Sequence, residues 1–249
     1  MKSPVRGQNL TYSIAEDLGI AIVTGVYSDS NPFPVEGELC QQYDVSRSIL
    51  REAVKMLTAK GLIDSRPRQG TWVQHEDRWN WLDPDVLRWM LEKNFSFSLL
   101  TEFTEVRLAV EPKAAALAAV AAGAADKAAI SDAVKAMVES ERLQDDPLEP
   151  DIAFHVSILR ASGNKFFLQL GDLIDTALRF SIRMTNRQTG VRSVGEHKKI
   201  ADAIIAGNAK RAESAMHALI SAVIIEIRKA ELAAEPRARI RRVRDSASA

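Results

Sequence analysis

The chain has 249 residues, of which 46% are hydrophobic and 27% charged, and its formal net charge is zero. This composition is typical of a folded globular protein and excludes an intrinsically disordered one. A zero balance argues against a protein that grips nucleic acid along its whole surface, because such proteins carry an excess of basic residues. Any contact with nucleic acid must therefore depend on the placement of a few arginines.

The sequence contains one cysteine, Cys40, which excludes an internal disulfide and a zinc site built from several cysteines. The longest apolar run, residues 114–125, is too short to span a bilayer. The N-terminal residues lack the basic, apolar and small-residue order of a signal peptide. We therefore expect a cytoplasmic protein with no membrane partner.

A helix is predicted over residues 11–24, and residues 35–54 follow with the pattern of two short helices joined by a tight turn. Apolar residues recur there at the spacing of one buried face: Leu39, Ile49, Leu50, Ala53, Val54 and Leu57. Ser46 stands where its hydroxyl would cap the second helix by accepting a bond from a backbone N–H. The first turns of that helix also carry polar residues away from the apolar face. The pattern fits a recognition helix, and it also fits an amphipathic helix pair with ordinary surface arginines.

Two short strands are predicted at residues 62–66 and 71–74, with a turn at residues 67–70 between them. Three helices followed by a hairpin is the element order of a winged helix-turn-helix. A basic hairpin tip, here carrying Arg68, commonly reaches phosphates or the minor groove of DNA. The hairpin therefore favours DNA binding over an ordinary helix pair.

Four segments of this region resemble the N-terminal signature of the GntR superfamily of bacterial transcription regulators: residues 33–39, 45–53, 61–63 and 70–73. Together with the position of Ser46 and the basic wing tip, the resemblance implies this DNA-contacting set: Ser46, Arg47, Ser48, Arg51, Arg68, Gln69 and Gly70. The chain departs from the family at Gly37, where members often carry a basic or polar DNA-contacting residue. One contact is therefore expected to be missing, or to come from elsewhere, for example from Arg68.

The fold class expected is mostly α, with the winged helix-turn-helix in residues 1–75 and an all-α helical bundle after it. Residues 76–97 are expected to form a linker and a short docking helix that is rich in aromatic residues. Residues 98–232 contain six predicted helices, including one over residues 165–187. The basic residues 233–249 are expected to form a disordered tail.

Asp151 and His155 are four residues apart at the start of one predicted helix, so both side chains project from the same face. His197 begins another helix, and His217 lies well inside the next. Three imidazoles and one carboxylate suit a divalent transition metal, with zinc as the default and nickel or manganese as alternatives. Isolated histidines on helices are also found at the surface or satisfied in the core, so the spacing leaves both interpretations open.

Segments around these residues resemble the FCD ligand-binding domain of the FadR branch of the GntR superfamily. The resemblance rests on four segments: residues 107–112, 151–155, 196–197 and 216–217. It implies an FCD-type bundle with a metal bound by Asp151, His155, His197 and His217. It also implies that Arg107 receives a small organic acid, the alternative being an ion pair between Arg107 and Glu111. From the polarity of their helix, Arg183 and Asn186 are further candidates for contacting a polyhydroxylated ligand.

The expected function is a ligand-responsive transcription factor, a homodimeric repressor bound to a near-palindromic double-stranded operator. Residues 79–92 and 105–112 resemble galactonate-operon repressors, which implies a sugar acid as the effector that releases the protein from DNA. One alternative is an FCD regulator that responds to another organic acid. The other is a metal-dependent hydrolase that uses the Asp/His site. We expect no enzyme, because no motif supplies a clear general acid or base and a free-standing hydrolase does not need a winged helix.

Overall fold

The computed structural model describes residues 10–28, 30–66, 69–189 and 194–246, without the side chains of residues 182–189 and 235–246. The chain divides into two compact units, Met1–Phe95 and Ser96–Ala249. Most of the described residues lie in helices, and the one sheet found among them has two strands. The mostly-α fold class is therefore confirmed. None of the helices in the described ranges is both long enough and apolar enough to cross a membrane.

The first unit has the element order of a winged helix-turn-helix followed by one more helix. Its elements are α1 (Leu10–Val23), α2 (Glu36–Tyr43), α3 (Arg47–Ala59), β1 (Ile63–Arg66), β2 (Gly70–Val73), a one-turn 3-10 helix (Glu76–Arg78) and α4 (Pro84–Lys93). The strands pair antiparallel, with Ile63 opposite Val73 and Arg66 opposite Gly70. The wing predicted from the sequence is therefore present and follows the recognition helix directly.

The predicted apolar face of α3 forms the centre of the first unit. Leu50, Ala53 and Leu57 are fully buried, because residues three and four apart share one side of a helix. The helix stops before Gly61, which has a φ of +74°. A Cβ atom at Gly61 would lie 2.2 Å from the carbonyl oxygen of Arg78. Only glycine satisfies both the left-handed conformation and this close approach.

The helix α4 packs on α1 within the first unit. Its Trp89 is completely buried, and a Cβ atom at Gly19 of α1 would lie 2.3 Å from the indole ring. Lys60, at the end of α3, donates to both oxygens of Asp83 at 2.8 and 2.9 Å and to Asp85 at 2.8 Å. Because Asp83 also accepts bonds from the first backbone N–H groups of α4, this ion network anchors the start of the helix.

The second unit is an all-helical bundle in the described ranges. Its helices are α5 (Phe97–Ala121), α6 (Ala124–Leu143), α7 (Leu148–Ala161), α8 (Lys165–Gln169), α9 (Gly171–Thr189), α10 (Val194–Ile205) and α11 (Ala209–Ser246). Helix α5 packs along α11, and its fully buried alanines at positions 114, 115 and 118 allow a close approach. Helix α5 also carries Glu111, which contacts the metal-site candidate His155.

Two expectations for this half are corrected. The helix predicted over residues 165–187 is two helices, α8 and α9, which meet at Leu170. The segment 233–249 was expected to be a disordered tail, but α11 continues to Ser246. Alanine and arginine make up most of this stretch, and both have high helix propensity.

Candidate metal centre and nucleic-acid interface

Three of the four predicted metal ligands converge in the second unit. Asp151 and His155 occupy successive turns of α7, and His197 comes from α10. The Asp151 Oδ1 atom lies 3.2 Å from His155 Nε2 and 3.4 Å from His197 Nε2. The three donor atoms all lie within 4.8 Å of one another. The structure thus brings one carboxylate and two imidazoles to a single point.

The two distances from Asp151 match those between ligands that share one metal ion. Zinc bonds of about 2.0–2.1 Å at tetrahedral angles place neighbouring ligand atoms roughly 3.3–3.4 Å apart. The Asp151 Oδ1 atom is buried and forms no hydrogen bond of normal geometry to a described residue. Both imidazoles approach it, at 3.2 and 3.4 Å, and a cation held among the three donor atoms would give this oxygen a partner. The donor set therefore fits a divalent transition metal.

Two charged residues of α5, Arg107 and Glu111, lie on the side of the His155 ring away from Asp151. The Nδ1 atom of His155 contacts one carboxylate oxygen of Glu111, and the other oxygen accepts from Arg107 Nε at 2.6 Å. All three side chains are buried. A proton on Nδ1 leaves the Nε2 lone pair directed toward Asp151, which is the orientation of a metal-binding histidine held by a carboxylate. Sequence reasoning missed this role of Glu111, which it considered only as a partner of Arg107.

The electrostatics of the cluster follow from burial opposed by close charges. Burial raises the pKa of Asp151, but its contacts with the two imidazoles outweigh this and hold the pKa well below its usual range. Burial lowers the pKa of His155, whereas the neighbouring Glu111 and Asp151 carboxylates raise it to about 9. A proton and a metal ion would therefore compete for the Nε2 lone pair of His155.

His217, the fourth predicted ligand, does not join the group. It lies on the exposed side of α11, where its Nδ1 is 3.4 Å from the Oγ of Ser221. Met216 and Leu219 are buried instead. Successive residues are rotated by about 100° around a helix axis, so a histidine next to a core position faces elsewhere. Among the described side chains, the ligand set is one aspartate and two histidines.

The predicted effector residues have different outcomes. Arg107 forms the ion pair with Glu111 that the sequence left open as an alternative, and both side chains are almost completely buried. Arg183 and Asn186 lie on α9, but their side chains are outside the described residues. The structure therefore places Arg107 close to the metal-site candidates: Arg107 contacts Glu111, and Glu111 contacts His155.

The predicted DNA-contacting residues of α3 are exposed at its N-terminal end. Arg47, Ser48 and Arg51 all face solvent, opposite the buried face of the helix. Ser46 occupies the N-cap position, but its hydroxyl does not bond to a backbone N–H as expected. It lies 2.9 Å from the Oγ of Ser48 instead, because the second hydroxyl competes for it at short range.

The wing and α2 complete this surface. Gln69 and Gly70 are exposed at the hairpin tip, and the backbone N–H of Gln69 closes the turn onto Arg66 at 3.1 Å. Arg68 lies outside the described residues. Gly37, in the first turn of α2, has no atom within 4 Å of the position that a Cβ would occupy. The position at which the sequence departs from the expected family pattern is thus open space.

Two family models match the chain. The model for "Bacterial regulatory proteins, gntR family" covers residues 10–73, and the FCD domain model covers residues 102–222. The galactonate operon transcriptional repressor of Escherichia coli (strain K12) is 34% identical over 216 residues, which is 86% of this chain and 94% of the relative. The chain belongs to the GntR family and carries an FCD domain. It is a FadR-like regulator.

Other similar proteins agree with this membership. The HTH-type transcriptional regulator YieP of Escherichia coli (strain K12) is 35% identical over 86% of this chain and 93% of its own length. The solved structure of Lar from Listeria monocytogenes covers 90% of this chain and 99% of its own, with 15% identity and a TM-score of 0.54. At that identity the likeness concerns the fold alone. This GntR-family protein is thus a transcription regulator, as expected, and the hydrolase alternative is wrong.

Proposed function

We propose that this regulator represses a sugar-acid catabolic operon and is released from its operator when the acid binds at the metal centre. The observation that carries the proposal is the convergence of Asp151, His155 and His197, backed by Glu111 and Arg107, inside an FCD domain. FCD domains bind metals, and an effector site belongs to their role.

Asp151, His155 and His197 would hold the ion, with zinc as the proposed metal and nickel or manganese as alternatives. A divalent ion on three protein ligands supplies open coordination positions for an anionic oxygen. Glu111 fixes the His155 ring, and Arg107 adds a guanidinium suited to a carboxylate. Arg183 and Asn186 are proposed to contact the hydroxyl groups of the acid. Together these residues would recognise a small hydroxylated carboxylate.

Galactonate is the first acid to test, because a repressor of a galactonate operon is 34% identical to this chain. Another organic acid is the alternative. The effector must bind more tightly to the conformation that holds DNA poorly, since equal affinity for both conformations changes nothing. Couplings of this kind are typically 5- to 150-fold in affinity.

We further propose that the regulator acts as a homodimer on a near-palindromic operator in the cytoplasm. A two-fold axis would place two copies of α3 in successive major grooves, about 34–36 Å apart. The small number of exposed arginines on α3 supports this arrangement, because one copy alone offers few phosphate and base contacts. Two copies at the correct spacing would double the contacts, and a change in spacing would release them.

The test is metal content and acid binding in histidine variants. His155→Ala and His197→Ala are expected to lose bound metal, measured by elemental analysis of the purified protein. They are also expected to lose the thermal stabilisation that galactonate produces in the unmodified protein. His217→Ala is the matched control, because this exposed histidine lies outside the group and its loss should leave both properties unchanged. Full metal occupancy in both buried-histidine variants would show that the metal site lies elsewhere.

A further inference from the structure

One carboxylate lies directly against the two arginines of the recognition helix. Glu36 begins α2, and its Oε2 accepts from Arg51 Nε at 3.0 Å. Its Oε1 is 3.7 Å from Arg47 Nε. A single acidic side chain of the first helix of the motif therefore contacts both cationic side chains that are expected to reach DNA.

Stability does not explain this contact. The arginine side chains are 74% and 62% exposed at positions 47 and 51, and Glu36 is 38% exposed. Exposed ion pairs add little to the stability of a fold, because water screens them and ordering the long side chains costs entropy. A carboxylate on this surface also repels DNA phosphates. Its presence therefore calls for a role in the DNA-bound state.

We propose that Glu36 is a positioning residue for base readout. A guanidinium presents its donors along separate edges, and Glu36 occupies the Nε edge of Arg51. The edge with the two terminal nitrogens is then directed outward, and it is this edge that pairs with O6 and N7 of guanine. Arg47 is restrained more loosely by the other oxygen of the same carboxylate.

The same contact limits non-specific binding. A flexible arginine readily turns to a phosphate, which carries no sequence information. When DNA excludes water from the surface, a carboxylate that lost its arginine would be left unpaired, and this is unfavourable. Glu36 therefore retains Arg51 in the orientation suited to bases and opposes its capture by the backbone. Glu36 also lies in the first turn of α2, where the helix dipole favours a negative charge.

The experiment compares Glu36→Gln with Glu52→Gln in the full-length protein. Glu52 lies on α3 and is 61% exposed, but it pairs with Lys55 at 2.7 Å rather than with an arginine. Both variants remove one negative charge from the same unit. The probes are a duplex of about 30 base pairs, selected by the unmodified protein from a random pool, and a scrambled duplex of the same composition.

Glu36→Gln is expected to reduce the ratio of selected to scrambled affinity about 10-fold, because one bidentate guanine contact is loosened. The slope of log affinity against log salt should steepen by up to about one, as freed arginines reach phosphates. Glu52→Gln should keep the ratio of the unmodified protein. The proposal is overturned if the two variants have the same ratio. It is equally overturned if Glu36→Gln acquires a preference for adenine at one position, because residue 36 would then contact a base itself.

Discussion

Two charged clusters, one in each unit, show opposite uses of the same chemistry. In the helical unit, Glu111 lies between Arg107 and His155, and all three side chains are at most 3% exposed. In the winged helix-turn-helix, Glu36 lies between Arg47 and Arg51 in contact with water. Each cluster is a carboxylate in contact with two basic side chains. They differ in burial, and burial decides what each one can do.

Burial makes the first cluster a fixed part of the fold. Each charge there depends on its neighbours, because water cannot replace a lost partner. The pKa of Glu111 illustrates this: burial raises it, but Arg107 and His155 outweigh burial and lower it to about 2. Such a cluster keeps His155, a proposed metal ligand, in one orientation. The exposed cluster costs little to rearrange, so its arginines remain available to DNA.

The largest effect is expected for Glu111→Ala. This variant leaves the charge of Arg107 buried without its partner, and loss of one member of a buried ion pair typically costs about 3–5 kcal/mol. Denaturant unfolding of the full chain should show a loss of this order in the free energy of unfolding. Glu139→Ala, which removes the partner of exposed Arg142, should change nothing measurable. Equal free energies of unfolding for the two variants would show that burial does not make the Glu111 ion pair more important for stability than an exposed one.

An intermediate effect, on binding alone, is expected for Arg51→Ala. Affinity for a duplex selected by the unmodified protein should fall roughly 10- to 100-fold, since one bidentate base contact is lost. The unfolding midpoint should not move, because the side chain is exposed. Lys55→Ala, which removes one charge from the same helix, is the control and should weaken selected and scrambled duplexes alike. A lowered unfolding midpoint for Arg51→Ala would contradict the view that the exposed cluster contributes little to stability.

The smallest effect is expected for Gly37→Arg, which adds a cation to the exposed cluster. The open space at this position accommodates a side chain without a clash. Affinity for any duplex should rise a few-fold, and the slope of log affinity against log salt should steepen by about 0.9 for one added phosphate contact. Gly37→Ala is the control, because it changes the helix propensity of this position without adding a positive charge. If both variants bind DNA equally, the missing family contact is supplied from elsewhere in the protein.

Local patterns predicted most of the architecture. The apolar face of α3 and the hairpin of β1 and β2 both depend on neighbours within a few residues, and both are present as expected. The expected cap at Ser46 is absent, because its hydroxyl forms a hydrogen bond with the hydroxyl of Ser48, two residues away. The break at Leu170 escaped prediction, because both sides of it have helical apolar patterns.

The sequence by itself determined the order of elements, the helix that carries the predicted DNA contacts and the residue types of the candidate metal site. These depend on periodicity, turns and donor chemistry, which are local properties of the chain. Only the tertiary structure decided which donors meet. Asp151 and His155 share a helix face by spacing, but His197 reaches them through the packing of the bundle, and the rotation of α11 directs His217 to solvent. Contacts between distant segments are set by how helices pack, and no local pattern encodes that arrangement.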